Sequence, residues 1–112
     1  MEVRAYSRHA RISPKKARLI LDEIRGKRVD EAMALLRFMP TPHARTVAKV
    51  VRSAAANAEN NYNMQPRNLR IARTFVGDGL TYRRLLPRSR GRGDIMRRRR
   101  SNITVVVQDQ EL

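Results

Sequence analysis

The chain has 112 residues, no cysteine and a net charge of +15. That length suits one domain with a modest core, and the absence of cysteine excludes disulfides and thiolate metal sites and points to a reducing, intracellular setting. The charge calls for an anionic partner, because self-repulsion works against a compact state unless something neutralises it, and with 21 arginines to 4 lysines the bidentate fit of guanidinium to phosphate singles out nucleic acid.

The first twelve residues, MEVRAYSRHARI, lack the apolar stretch of a secretory signal. Their Val, Tyr and Ile read as an edge strand. Ser13 as N-cap with Pro14 at the first helical position opens a helix. Ala17, Ile20, Leu21 and Ile24 recur at helical spacing, and Gly26 is placed to end it. Asp30 starts a second helix carrying Ala32, Leu35, Leu36 and Met39. Its Ala32–Leu36 stretch is the longest unbroken apolar run, five residues, far short of a membrane span. Thr41 and Pro42 repeat the cap-plus-proline signal and open a third helix from 42 to about 61, roughly 30 Å long at 1.5 Å per residue. There Val47, Val50, Val51, Ala54 and Ala58 share one side, with Arg45, Lys49, Arg52, Glu59 and Asn60 opposite. Asn60, Asn61 and Asn63 with Pro66 end it.

After that turn the period changes to two. Leu69, Ile71, Arg73 and Phe75 alternate with Arg70, Ala72, Thr74 and Val76, and Ile103, Val105 and Val107 alternate with Thr104, Val106 and Gln108, which gives two strands. The 26 residues between them, Gly77 to Asn102, are too many for a structureless loop in a compact domain. They read as a long β-hairpin with its tip near Ser89 to Gly93. About eight residues per arm would carry the tip roughly 25 Å from the body. The fold class expected is therefore α+β, with three helices packed on a small antiparallel sheet and a long protruding hairpin, all in one domain spanning 1–112.

Within the hairpin, Arg83 to Arg100 holds nine arginines against one acid, Asp94. Gly91 and Gly93 permit positive φ at the tip, and Arg88, Arg90 and Arg92 would point the same way if that part is extended. The plainer alternative is a disordered basic tail, but apolar residues on both arms and the β-rich return strand argue for a ribbon. A two-stranded ribbon is marginal alone in water, so it should become ordered where its target surrounds it. The run Arg97, Arg98, Arg99, Arg100 also resembles a nuclear-localisation address; so basic a body favours phosphate contact instead. Lys15, Lys16 and Arg18 stand at a helix start, where backbone N–H groups favour anions, or form a solvated face. The Arg45, Lys49 and Arg52 stripe reads mainly as solvated.

Catalysis has little to stand on. His9 and His43 lie far apart with no carboxylate at ligand spacing, Asp22-Glu23 and Asp30-Glu31 read as helix charge and cap residues, and no GxxxxGK loop is present. No enzyme activity, metal or cofactor is expected. The aromatics Tyr6, Phe38, Tyr62, Phe75 and Tyr82 are scattered along the sequence, not clustered as in a sheet that stacks single-stranded bases, so recognition of shape and phosphate in folded RNA is expected. An architectural DNA-bender with an arginine β-ribbon is the alternative. Such proteins bind as dimers, however, and the chain offers little apolar surface for a homo-oligomer. A cationic membrane-surface peptide would need a basic amphipathic helix with bulky aromatic anchors, which is lacking.

The stretches Ala10-Arg-Ile-Ser-Pro-Lys-Lys-Ala-Arg-Leu, Ile24-Arg-Gly-Lys, Ser53-Ala-Ala-Ala-Asn-Ala-Glu-Asn-Asn, Leu86-Pro-Arg-Ser-Arg-Gly-Arg-Gly-Asp and Ser101-Asn-Ile-Thr-Val-Val-Val together resemble the bacterial large-subunit ribosomal protein L twenty-two family, in order and essentially end to end. The resemblance implies a cytoplasmic ribosomal protein that binds large-subunit ribosomal RNA and supports subunit assembly. Its body would lie near the polypeptide exit among neighbouring ribosomal proteins, and its hairpin tip would line the tunnel beside the nascent polypeptide. Carried onto this sequence, the tip is Arg84, Pro87, Arg88, Ser89, Arg90, Gly91 and Arg92. RNA contacts are expected from Arg11, Lys15, Lys16, Arg18, Arg83, Arg84, Arg88, Arg90, Arg92, Arg97, Arg98, Arg99 and Arg100. Three departures stand out: Val76-Gly-Asp-Gly-Leu where the family usually has Asp-Glu-Gly-Pro, Gly93 for alanine and Asn102 for histidine. They imply a looser hairpin base and one altered RNA contact.

Overall fold

The computed structural model describes the backbone of residues 2–87, 89–91 and 93–109; the side chains of Tyr82, Arg84, Leu86, Ser89 and Met96 lie outside that description. Strand β1 (Glu2–Ala10) is followed by three helices, α1 (Pro14–Ile24), α2 (Val29–Phe38) and α3 (His43–Tyr62), and then by strands β2 (Leu69–Pro87) and β3 (Gly93–Asp109). The strands form one antiparallel sheet in the order β1-β3-β2. The expected α+β architecture is thus present, and β1 is an edge strand as its composition suggests.

Local chemistry accounts for the helix boundaries. Ser13 caps α1 with its hydroxyl accepting from the Lys16 N–H, and Pro14 fills the first helical position, where its missing N–H costs nothing. Gly26 follows with φ +81, and its N–H donates to the Ile71 carbonyl at 2.9 Å, so the helix end is stitched onto β2. Helix α2 begins at Val29, one residue before the expected Asp30, which lies in the first turn with Glu31 and favours the positive end of the helix dipole from there. Helix α3 also differs by one residue. Pro42 takes the cap position rather than the first helical one, and Thr41 Oγ1 accepts from the His43 N–H at 3.4 Å. Asn63 ends α3 in the left-handed conformation, φ 55, which asparagine tolerates better than most residues.

The core lies between the helices and one face of the sheet. Ala17, Ile20, Leu21 and Ile24 of α1, Ala32 and Leu36 of α2 and Val47, Val50, Val51, Ala54 and Ala58 of α3 pack with Val3, Ala5, Leu69, Ile71, Ile103, Val105 and Val107 of the strands. Strand β2 corrects the simple alternation expected for it. A bulge between Ile71 and Arg73 shifts the side-chain phase, so Thr74 is buried and Phe75 is turned out. Thr74 Oγ1 then accepts from Arg25 Nε and Nη2 at 3.2 and 3.1 Å, which closes the end of α1 onto the sheet.

Beyond the body, β2 and β3 continue as one ladder from Leu69↔Asp109 out to Pro87↔Gly93. The molecule measures 66 × 25 × 17 Å with a radius of gyration of 17.0 Å. A compact chain of this length would have about 13 Å, and the excess is the hairpin. At the junction, Ser101 is fully buried and its hydroxyl donates to the Ile12 carbonyl at 2.7 Å. Ser101→Ala should leave that carbonyl unsatisfied and lower unfolding free energy by about 1–3 kcal/mol. Urea denaturation of the two proteins measures this.

Candidate nucleic-acid interface

The hairpin arms expose their charge on a regular frame. Strand alternation places Arg83, Leu85 and Pro87 on one face, in register with Arg97, Ile95 and Gly93. Arg83 directly opposes Arg97, and like charges at that separation destabilise a ladder unless an anion lies between or beside them. Leu85 and Ile95 pair across the strands while remaining 77% and 64% exposed. That apolar contact supports the arm near its tip. It also offers surface for a close-fitting partner.

The tip differs from an extended strand. Ser89–Gly91 forms a 3-10 turn in which Arg90 takes φ 62, ψ 34 and Gly91 takes φ 73. Positive φ therefore falls on Gly91, as a glycine there permits, and also on Arg90. Arg88 and Arg92 themselves lie outside the described residues, as do the side chains of Arg84 and Ser89. Pro87, Arg90 and Gly91 are exposed. A Cβ at Gly93 would come within 2.9 Å of Leu85 Cδ1, a flexible side-chain end, so the glycine is not demanded by space alone.

The root of the hairpin is tied to β1 by polar contacts between residues far apart in the chain. His9, at φ 55, accepts from the Leu80 N–H through Nδ1 at 3.1 Å. Its own N–H donates to Asn102 Oδ1 at 2.9 Å, and its carbonyl accepts from Arg100 Nη1 at 3.1 Å. Asn102 Nδ2 reaches the Asp78 carbonyl at 3.4 Å. The Gly77–Leu80 segment thus contains a bulge between Asp78 and Thr81 that these hydrogen bonds fasten, and Asn102 is engaged within the protein. Gly79 fits closely there, since a Cβ would meet Arg100 backbone atoms and His9 Nδ1 at 3.1 Å and those neighbours would have to give by a few tenths of an ångström.

The four-arginine run divides in consequence. Arg97 and Arg98 are exposed on the arm. Arg99 Nη2 pairs with Asp78 Oδ1 at 2.8 Å with both side chains at least half exposed, so an acid outside the Arg83–Arg100 segment offsets one of its charges. Such an exposed pair contributes little to stability, and the guanidinium keeps donors for other contacts. Ser101, bonded to Ile12, brings the start of α1 beside this root. Arg11, Lys15, Lys16 and Arg18 are all exposed there, next to the positive end of the helix dipole. The α3 residues Arg45, Lys49 and Arg52 are exposed as expected.

Two aromatics that are distant in sequence share one face of the sheet. Tyr6 and Phe75 flank Thr104 in one cross-strand row, on the face opposite the helices. Register thus brings to one row two aromatics that are scattered along the sequence. The signal was hidden because the bulge at Ala72 decides which way Phe75 points. Among the described residues no group of three His, Cys, Asp or Glu side chains is placed to hold a metal ion, and no helix is long and apolar enough to cross a membrane.

The fold is an α+β body with exposed cations at the start of α1 and an arginine-bearing β-hairpin hydrogen-bonded to β1 at its root. The comparison with known proteins gives it a lineage: the family described as Ribosomal protein L22p/L17e matches residues 5–108, and the chain belongs to that family. It is 53% identical over 111 residues to "Large ribosomal subunit protein uL22" of Thermoanaerobacter sp. (strain X514), covering 99% of this chain and 100% of that protein. It is likewise 53% identical to the protein of the same name from Pelotomaculum thermopropionicum, over 99% and 98% of the two chains. The one from Roseiflexus sp. (strain RS-1) is 45% identical over the same shares.

His9→Ala removes the acceptor for the Leu80 N–H. It should speed amide hydrogen exchange at Leu80 and its hairpin-root neighbours while lowering global stability by only about 0.5–1.5 kcal/mol. Residue-resolved exchange read beside a denaturation curve separates the two effects.

Proposed function

We propose that this chain is a structural, non-enzymic constituent of the large ribosomal subunit. In this reading it binds large-subunit ribosomal RNA, its body lies near the polypeptide exit among neighbouring ribosomal proteins, and its hairpin tip lines the tunnel through which the nascent polypeptide passes. The observation that carries the reading is the opposition of Arg83 and Arg97 on an arm that stands clear of the body. A ribbon whose cross-strand partners repel gains stability when phosphates surround it. Family membership and the name borne by the relatives supply the large subunit as the setting.

The roles divide by position. Arg83, Arg84, Arg97 and Arg98 bind phosphates along the arms, and Arg99 and Arg100 do so at the root while holding it together. Arg84, Pro87, Arg88, Ser89, Arg90, Gly91 and Arg92 form the tunnel-lining tip. Arg11, Lys15, Lys16 and Arg18 dock the body, with the α1 start giving a second anion-favouring point. Because phosphate contacts fix position rather than base identity, the protein organises RNA by shape and supports assembly of the subunit.

If about six arginines meet phosphates, affinity for structured large-subunit RNA should fall roughly 10³-fold between about 50 and 200 mM salt. A flat response in filter binding would contradict the reading. The combined Arg83→Gln and Arg97→Gln change should reduce the slope of log K against log salt by about two. Replacing residues 83–97 by an Asn-Gly turn joins the paired Tyr82 and Arg98 with a favoured hairpin connection. That variant should still co-sediment with large subunits if the body docks the protein. A sedimentation dimer that prefers bent duplex DNA to structured RNA would instead favour an architectural DNA-binding role.

A further inference from the structure

The sheet face turned away from the helices carries a second chemistry. Three cross-strand rows lie on it: Glu2, Gln108 and Arg70, then Arg4, Val106 and Arg73, then Tyr6, Thr104 and Phe75. Tyr6 is 63% exposed and Phe75 53%. Arg4, Arg70 and Arg73 are exposed as well, and Glu2 pairs with Arg73. Val106 is 1% exposed although it stands outside the main core cluster. The stems of its row neighbours Arg4 and Arg73 can cover it while their heads stay in water.

Scattered single aromatics on a surface are ordinary. Two in one row, across a small central residue and beside a row with two arginines, form a different pattern. Strand spacing sets the two rings roughly 9.6 Å apart between backbones, and the arginine row lies about 6.8 Å further along the strands. Aromatic faces that take stacked bases, with guanidinium groups near enough for the linking phosphates, are how single-stranded nucleic acid is held without sequence preference. The three arginines against one acid on this face match a polyanion and oppose a basic protein neighbour.

We propose that the open sheet face binds unpaired RNA nucleotides, with bases stacked on Tyr6 and Phe75 and the backbone phosphates held by Arg4, Arg70 and Arg73. This rests on the RNA-binding reading above and adds to it a contact that is base-stacking in character and separate from the hairpin. It explains why two large aromatic side chains lie exposed on a sheet whose other face is fully covered. It also gives the body a means of fixing a looped-out RNA segment that phosphate contacts alone would leave free to slide.

The test uses the full chain and a ten-nucleotide oligouridine carrying one central 2-aminopurine, whose fluorescence falls when the base stacks. Titration is done near 300 mM salt, where phosphate contacts are weakened and stacking is not. The expected result is quenching on binding, with affinity reduced about 10- to 100-fold in the double variant Tyr6→Leu, Phe75→Leu and the salt slope unchanged. The exchanges Tyr6→Phe and Phe75→Tyr keep an aromatic face and should hold affinity within about twofold. Circular-dichroism melts confirm that each variant folds. Equal affinity and equal quenching in the leucine variant would overturn the proposal while leaving salt-dependent binding through the hairpin intact. Loss of salt-dependent binding by the unmodified chain would instead remove the underlying reading. A photoreactive side chain at position 6, in assembled large subunits, should cross-link to nucleotide; cross-links to protein would show this face to be a protein contact and overturn the proposal.

Discussion

Everything distinctive about this molecule depends on the antiparallel pairing of β2 with β3, which runs from Leu69↔Asp109 to Pro87↔Gly93 through two bulges. Its first part is the floor of the core, where Ile71, Ile103, Val105 and Val107 are buried beneath three helices. Its second part leaves the core past the bulge between Asp78 and Thr81 and becomes the hairpin. Because the hydrogen-bonded frame is shared, the arm inherits its direction from the packed sheet. A ribbon of this kind would be marginal by itself; rooted in a core, it has a defined starting direction.

The root is where packing and polarity meet. Ser101 is buried against the Ile12 carbonyl, and His9, Asn102, Asp78 and Arg100 link β1 to both arms just beyond it. Two bulges, in β2 at 72 and near 79–80, lie on the body side and the arm side of this junction. Bulges re-aim side chains and increase local twist. The first turns Phe75 out beside Tyr6's row; the second makes room for the His9 ring against Leu80. Charge is then arranged around this frame, with cations at the α1 start beside the root and opposed arginines along the arm.

Much of this was legible in the residues alone. Ser13-Pro14, Gly26 and Asn63 mark helix ends by backbone chemistry that needs no tertiary context, and the 3.6-residue spacing of Val47, Val50, Val51, Ala54 and Ala58 identifies the buried face of α3. The hairpin was visible as a charged segment between two stretches of period two. The orientation of Phe75 was not, because one unpaired residue shifts every later side chain to the other face. Positive φ at Gly91 is what a glycine there permits, whereas positive φ at Arg90 depends on how the two arms meet. The role of His9 was invisible because its partners, Leu80, Asn102 and Arg100, lie more than 70 positions away.

Spacing, capping chemistry and net charge are properties of neighbouring residues and of sums over the chain, so the elements, the covered face of each helix and the excess of cations can be read from the residues alone. Which distant residues share a surface is settled by the packed fold. Register and bulges brought Tyr6 to Phe75's row, set Arg83 against Arg97, paired Asp78 with Arg99 and placed the start of α1 beside the hairpin root. These are outcomes of strand pairing, and pairing is settled by the packing of the whole sheet against its helices rather than by any local segment.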